Sequence, residues 1–325
     1  EKFGNNKTPK SENKKSDHFV GDFYVKFNID LKDNPQLDRE AQDCLVRWES
    51  SDKKTLALWK KMNSWALEGF KETYKKFNLI IDKEYYESEI YKGGKNIVLD
   101  QYKKGKVTRK DDGAYFVDLS KESLGEKILI RTDGTSIYIT QDLYLALLRK
   151  KEYKFDKMLY VVASEQNHHF KVLFSLLKHF GFLWYKNLTH LNYGLVLLES
   201  GRMKSREGII VDSDDLIKEL EDLAMEEINK RYPALPAKDK EQRSIAISMS
   251  ALRYYFLKVD RIKNIVFKPE ESISFDGNTG PYLLYTYARA KSILRKSNKK
   301  IIKVKISEIN DLEKSLIQQL SIFPQ

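Results

Sequence analysis

Residues 156–198 read DKMLYVVASEQNHHFKVLFSLLKHFGFLWYKNLTHLNYGLVLL, and the order of textures inside that stretch decides the fold. Residues 156–163 form a compact apolar run of the sort found in a parallel strand buried on both faces. Gln166 then opens a helix whose Phe170, Leu173, Phe174 and Leu177 recur in steps of three and four. Gly181 follows, where a helix end favours a residue that tolerates a left-handed backbone. A second apolar run at 195–198 leads into a glycine-flanked basic loop, GRMKSREG, at 201–208. Strand, helix, strand and loop in this order make half of a doubly wound α/β nucleotide-binding fold, whose ligands lie beyond the carboxyl ends of the strands.

Upstream of this unit, Thr140 is placed to cap a helix carrying Asp142, Leu143, Leu147 and Leu148. Short β-type runs at 96–100, 114–119, 127–131 and 136–139 alternate with Gly-Lys, Asp-Asp-Gly and Asp-Gly turns, and Asp133-Gly134 is a strong hairpin signal. They predict a small antiparallel β insertion. Over 37–77 the spacing is helical, and Leu56, Trp59, Met62, Ala66, Phe70 and Tyr74 mark one long amphipathic helix. Phe23, Val25 and Phe27 alternate with polar residues, which predicts a strand over 20–29. Residues 1–16 are polar and without period, as in a loop or frayed terminus.

Downstream the pattern is α-helical. Ser213 caps a helix running toward Tyr232, Pro233 and Pro236 break it, and a second covers 238–259. A third starts at Pro281 and reaches about residue 296, and another amphipathic helix begins within 306–325. The expected organisation is thus a helical and β insertion over 1–137, the second half of a nucleotide-binding domain over 138–212, a helical region over 213–305, and a further helical start over 306–325.

Composition narrows the function classes. A length of 325 residues corresponds to roughly two domains at ~150 residues each. The single Cys44 excludes a disulfide framework and a four-cysteine zinc site, and suits a reducing compartment. With 58 Lys+Arg against 47 Asp+Glu, the net charge of +11 favours a polyanionic partner. No run approaches the ~18 apolar residues of a membrane span. A Walker-type phosphate loop, a His-Glu-x-x-His zinc helix and a Gly-x-Ser-x-Gly elbow are all missing, and the five histidines have no metal-ligand spacing.

What remains is a polar constellation at element ends: Tyr138, Asp142, Gln166 and the loop from Arg202 to Gly208. Asp142 near a helix start either complements the helix dipole or receives a cationic ligand, which a carboxylate grips through two parallel hydrogen bonds when the cation is a guanidinium. Gln166 lies where a doubly wound sheet places ligand contacts, or is plain surface. Arg202, Lys204 and Arg206 form either a solvated turn or a cradle for a phosphate that gains charge during transfer. On the helix from Pro281, Tyr282 and Tyr285 beside Arg289, Lys291, Arg295 and Lys296 describe an RNA surface or an ordinary packed face.

Five segments together resemble the arginyl-tRNA synthetases, a family of class I aminoacyl-tRNA synthetases: SDHFVGDFYVKF (16–27), RTDGTSIYITQD (131–142), YVVASEQNHHF (160–170), GLVLLESGRMKSREG (194–208) and FDGNTGPYLLYTYARAKSIL (275–294). The resemblance implies that Tyr138, Asp142 and Gln166 bind arginine. It implies that Gly194, Leu195 and Val196 lie near the adenine of ATP, and that His169 borders the pocket. Arg202, Met203, Lys204, Ser205 and Arg206 match the family's Lys-Met-Ser-Lys-Ser loop, which supports the triphosphate. Asn278, Tyr282, Tyr285 and Arg289 fall near the acceptor end of tRNA. The implied reaction joins arginine to tRNA(Arg) through an arginyl-adenylate, with ATP and Mg2+ as co-substrate, no tightly bound cofactor and no protein-held metal. The implied setting is a cytoplasmic monomer that does not engage membranes.

The sequence departs from the family pattern in three places. Ser205 occupies the fourth signature position, a lysine in many class I relatives, which leaves Lys204 or Arg206 to supply the charge. Leu284 and Tyr287 stand where the family often has Gln and His. The other class I signature, His-Ile-Gly-His, is missing, and Leu312 to Pro324 resembles only the first helix of the family's anticodon-binding domain, so the expectation is an internal piece of a longer synthetase that alone binds ATP poorly and is inactive. The alternatives are another class I synthetase, or a non-catalytic RNA-binding module descended from one.

Overall fold

The computed structural model describes residues 2–198, 212–297 and 309–323. The first helix, α1 (Ser16–Asp33), replaces the strand predicted over 20–29. Phe19, Phe23 and Phe27 step by four as well as by two, and packing chooses between the periods. The Phe19 ring meets Phe23 at 5.1 Å and Trp65 at 5.5 Å, both edge-on. The predicted helix over 37–77 is two, α2 (Gln36–Glu49) and α3 (Lys53–Lys76). Between them Ser51 takes φ +64° and Asp52 restarts the helix by accepting the Thr55 amide at 2.8 Å. The stripe from Leu56 to Tyr74 belongs to α3 alone.

The run at 96–100 is not a strand either. It lies in α4 (Glu87–Lys103), whose buried positions Ile90, Gly94, Val98 and Gln101 step by four, four and three. The β insertion is real but smaller: β1 (Thr108–Arg109), β2 (Tyr115–Asp118) and β3 (Glu126–Ile130) form an antiparallel sheet in that order. Of 136–139 only Ser136 pairs, through one bridge to Ile130 around a turn with Gly134 at φ +80°. Helix α5 (Tyr138–Tyr153) starts at once, one turn earlier than a Thr140 cap allows. Thr140 is instead inside the first turn, where its buried hydroxyl donates to the Ile137 carbonyl at 2.6 Å.

Next come β4 (Met158–Ala163), α6 (Asn167–His179) and β5 (Leu188–Tyr193), with β4 and β5 parallel from Met158↔Leu188 to Ala163↔Tyr193. This is the strand–helix–strand unit the sequence predicts, with a different second strand. The run at 195–198 supplies β6 (Val196–Leu198), which pairs in parallel with the later β7 (Ile265–Phe267). Strand β4 is not buried on both faces: Tyr160 is inward, while Leu159 and Val161 are exposed. Gly181 has φ +85°, as its place after α6 demands.

Leu173, Leu176 and Leu177 of α6 are fully buried against Leu143 and Ala146 of α5 and Val117 and Leu129 of the small sheet. Each such leucine contributes about 1.5–3 kcal/mol. Insertion and strand–helix–strand unit therefore share one core, which fixes the start of α5 against the start of α6.

A second core forms from α7 (Ser213–Arg231), α8 (Ala237–Leu257), β7 and the short α9 (Pro269–Ile273), with Ile217, Leu220, Ala224, Leu252, Tyr255 and Phe267 inside. Asp212, not Ser213, caps α7, accepting the Asp214 amide at 3.0 Å. Helix α10 (Gly280–Lys296) is capped by Thr279. The last helix, α11 (Asp311–Ile322), opens on a capping box of Asn310 and Glu313 and buries none of its side chains.

Candidate functional site

The polar residues singled out in the sequence gather where α5 begins and where β4 hands over to α6. Asp142 sits one turn into α5. Its Oδ2 lies 2.7 Å from Nε2 of His169, in the first turn of α6. The Asp142 side chain is 37% exposed and that of His169 26%. Among the described residues the second oxygen, Oδ1, meets no hydrogen-bond donor. Tyr138 lies four residues before Asp142, hence on the same helical face, with its ring 74% exposed. Gln166 stands at the N-terminal boundary of α6 and is exposed. The structure thus brings Asp142 and His169 into contact, and leaves Tyr138 and Gln166 open at the same mouth.

The floor beneath this mouth is aromatic. Tyr160 of β4 packs against Phe170 at 4.9 Å, and Phe170 lies 4.3 Å from the ring of His190 on β5. Burial, with the negative charge of Asp142 adding to it, pushes the Tyr160 hydroxyl up to about 12, and the charge of Arg149 opposes the shift. A cleft of about 1630 Å³ lies apart from these residues, among α1, α2, α3 and residues 134–141, lined by Trp48, Trp59, Trp65, Ser136 and Gln141; none of Tyr138, Asp142, Gln166 and His169 lines it.

The segment Gly194, Leu195 and Val196 is more fully engaged than a free backbone edge. The Gly194 amide donates to Arg261 O at 2.7 Å, the Leu195 amide to Asn264 Oδ1 at 2.8 Å, and Leu195 O accepts from Ile265 at 2.9 Å. A Cβ at position 194 would stand 2.2 Å from the Lys263 carbonyl, so only glycine admits this approach. Arg261 also donates to Asn192 Oδ1 at 2.6 Å, and Asn192 donates to Asn167 Oδ1 at 2.9 Å. This bridge from the end of β5 to the start of α6 escaped sequence reasoning. Its one signal was an asparagine interrupting the apolar texture of 188–198. Arg202, Met203, Lys204, Ser205 and Arg206 lie outside the described residues.

On α10 only Gly280 and Pro281 are buried among the described residues. Tyr282 and Tyr285 are exposed with ring centroids 6.5 Å apart, and Arg289 Nη1 donates to the Tyr285 hydroxyl at 3.2 Å. Asn278 precedes the helix and accepts from the Tyr254 hydroxyl. Among the described residues one group, Asp17, His18 and Asp214, has the donor spacing of a metal site. Its cation is supplied internally: Lys15 Nζ lies 2.8 Å from Asp17 Oδ2 and 2.6 Å from Asp214 Oδ2.

Known proteins resemble this chain in family model, sequence and fold. The family described as "tRNA synthetases class I (R), catalytic domain" matches residues 2–268. An arginine–tRNA ligase from Treponema denticola is 46% identical over 335 aligned positions, covering 100% of this chain and 57% of the relative. One from Bacteroides thetaiotaomicron is 43% identical, over 99% of this chain and 58% of the relative. Among solved structures, the Thermus thermophilus arginyl-tRNA synthetase superposes with a TM-score of 0.77 at 24% identity, covering 91% of this chain and 55% of its own. The chain spans about half the length of the curated relatives it matches.

Proposed function

Since the chain belongs to the arginine-type class I tRNA synthetase catalytic-domain family, we propose that it takes part in joining arginine to tRNA(Arg) at the expense of ATP. In the first half-reaction a carboxylate oxygen of arginine attacks the α-phosphorus of ATP. The bond to pyrophosphate breaks as the bond to arginine forms. In the second, a ribose hydroxyl of the terminal adenosine of the tRNA attacks the arginyl carbonyl and AMP leaves.

The observation that carries this reading is the Asp142 carboxylate at the mouth of the β4–α6–β5 unit: one oxygen held by His169, the other without a donor among the described residues. A guanidinium offers a planar fork of donors that matches such a carboxylate, and lysine's single ammonium does not. His169 fixes the rotamer of Asp142. Tyr138 and Gln166 border the bound substrate and contact its side chain and α-amino end. No side chain of this region serves as nucleophile, so the contribution of the protein is orientation and charge stabilisation. ATP enters as its magnesium complex, a co-substrate and not a resident cofactor. The cations Arg202, Lys204 and Arg206 would meet the charge that grows on the triphosphate. The phosphate-rich acceptor end of tRNA(Arg) lies along Asn278, Tyr282, Tyr285 and Arg289. The boundaries 1–137, 138–212, 213–305 and 306–325, a monomeric state and a cytoplasmic setting complete the proposal.

Calorimetric titration of the protein expressed from its full reading frame, with arginine, lysine and citrulline, is the test. Arginine should bind at least about tenfold more tightly than either competitor, because citrulline keeps the shape and loses the charge, a difference of the order of 1.5–3 kcal/mol for a hydrogen bond to a charged group. Equal affinity for citrulline would remove Asp142 from recognition.

A further inference from the structure

Two adjacent glycines, Gly93 and Gly94, stand inside α4, and the helix runs through them without a break from Glu87 to Lys103. A glycine inside a helix costs about 0.5–1 kcal/mol relative to alanine, so helix formation alone gives no reason for the pair. Packing does. A Cβ at 94 would stand 2.6 Å from the Thr140 carbonyl oxygen and 2.8 Å from its carbon, and one at 93 would stand 2.5 Å from the Tyr144 ring. Heavy atoms rest at about 3.5–4.0 Å in ordinary contact, so α4 comes about 1 Å closer to α5 than a side chain at these positions permits.

The backbone that α4 touches belongs to the turn presenting the residues assigned above to arginine. Thr140 lies two positions after Tyr138 and two before Asp142. Among the described residues no side chain caps that turn: α5 opens after Ile137, and the Thr140 hydroxyl is spent on the Ile137 carbonyl at 2.6 Å. Thr140 is fully buried, and one turn beyond Gly94 Val98 is buried in the core that also holds Ile139 and Leu143. The glycines therefore close one side of the turn and the core closes another. Asp142 leaves the turn toward α6, where its Oδ2 meets His169 Nε2 at 2.7 Å. Such hydrogen bonds weaken beyond about 3.2 Å, so a displacement of about 1 Å exceeds what the contact tolerates. A misplacement of about 1 Å in groups that orient a substrate costs up to about two orders of magnitude.

We propose that Gly93 and Gly94 form a seat on α4 that fixes the first turn of α5, and with it Tyr138 and Asp142, in the position that arginine binding needs. Both are positioning residues: they touch neither arginine nor ATP. The proposal rests on the reading that Tyr138 and Asp142 receive arginine.

The experiment uses the protein expressed from its full reading frame. Gly94→Ala, Gly93→Ala and Gly69→Ala variants are compared by calorimetric titration with arginine and by arginine-dependent ATP–pyrophosphate exchange with tRNA present. Gly94→Ala should weaken arginine binding at least about tenfold and leave KM for ATP within about twofold. Gly93→Ala should weaken it about threefold, since the Tyr144 ring can turn aside where the Thr140 backbone cannot. Gly69→Ala is the control for crowding as such: its Cβ would meet Asp17 Oδ1 at 2.2 Å, between α3 and α1. It should lower thermal stability and leave arginine affinity within about twofold. A folded Gly94→Ala variant with arginine affinity within about twofold of the parent overturns the proposal, and so does an equal loss toward arginine and ATP or the same arginine loss in Gly69→Ala. Should Gly94→Ala not fold, Tyr144 supplies a second reading. In a Tyr144→Ala background Gly93→Ala meets no ring and should change arginine affinity by less than about 1.5-fold; a loss that persists there, or no loss in either background, overturns the seat. If the unsubstituted protein binds citrulline as tightly as arginine, the parent reading fails on its own. The seat is then read by hydrogen exchange: amides over 141–144 should exchange at least about tenfold faster in either glycine variant of α4, relative to amides over 173–177. Unchanged ratios would sink it.

Discussion

Asp142 at the mouth of the β4–α6–β5 unit and Asp214 at the α1–α3–α7 junction are the same side chain under opposite conditions. Asp142 is over a third exposed and holds one histidine with one oxygen. Asp214 is almost enclosed and receives two ammonium groups and a hydroxyl. A buried charge with its full complement of donors has nothing left to offer a ligand; removing it strands the donors. A half-solvated charge with a free oxygen contributes little to folding and is ready to bind a cation. Partner count and burial, more than residue type, separate a carboxylate open to a ligand from a carboxylate that holds.

The largest test of that contrast is Asp214→Ala. With the acid gone, Lys15 keeps only Asp17 and the half-exposed Lys76 turns to solvent; Lys15–Asp214 is the buried pair, and breaking one side of such a pair costs about 3–5 kcal/mol. Urea unfolding should show that loss. A cost under about 1 kcal/mol would mean the junction relaxes into solvent and the contrast with Asp142 is illusory. Asp142→Asn is the mirror experiment. The unfolding midpoint should barely move, whereas kcat/KM for arginine should fall about a hundredfold, equivalent to about 2.7 kcal/mol of lost charge-assisted bonding. Retained arginine dependence together with lost stability would exchange the two roles.

Acid tests the Asp214 network a third way. The Asp214 carboxyl is held below its ordinary value of 3.8 in the folded state, so the unfolded chain binds a proton more readily. Its stabilising contribution is complete above that ordinary value and drains away as pH falls through it toward the depressed one. Stability measured from pH 6 down to pH 3 should therefore decline more steeply in the parent than in Asp214→Asn, by about 1 kcal/mol over the window. Identical slopes would show that the network does not hold the charge of Asp214.

These contrasts also explain what was legible beforehand. Strand β4 and helix α6 were readable because their apolar residues are consecutive or follow one period, and Gly181 marks the helix end. Strand β5 is hidden because Thr189, His190 and Asn192 interrupt its apolar residues, while the more apolar run after it has the texture of a strand. The segment 20–29 satisfies both a period of two and a period of four, and Trp65, some forty residues away, decides between them. Asp142 was visible since its neighbours Tyr138 and Gln166 lie in quotable motifs. The partners of Asp214 were not: Lys15 is 199 positions away and Lys76 138, so nothing local marks them as a group. Local periodicity reports elements, and only the assembled fold reports which distant charges are shared.

Arg289 extends the comparison to a charge that meets no acid among the described residues. On α10 it donates to the Tyr285 hydroxyl, and among the described residues that helix buries Gly280 and Pro281 alone. An exposed guanidinium without a counter-charge is free to meet a phosphate, and the adjacent tyrosines offer rings for stacking. Arg289→Ala should leave folding within about 0.5 kcal/mol, as surface changes do. Affinity for tRNA(Arg) should drop about fivefold, and the dependence of log affinity on log salt should lose roughly 0.9 of slope, as removal of one phosphate contact requires. ATP affinity should be unaffected. An unchanged salt slope would place the tRNA on another face and leave the tyrosine row as simple exposed surface. A lowered slope with unchanged ATP affinity would set Arg289 at the far end of the series that begins with Asp214, where the fewer partners a charge has inside the fold, the more of its energy is available to a ligand.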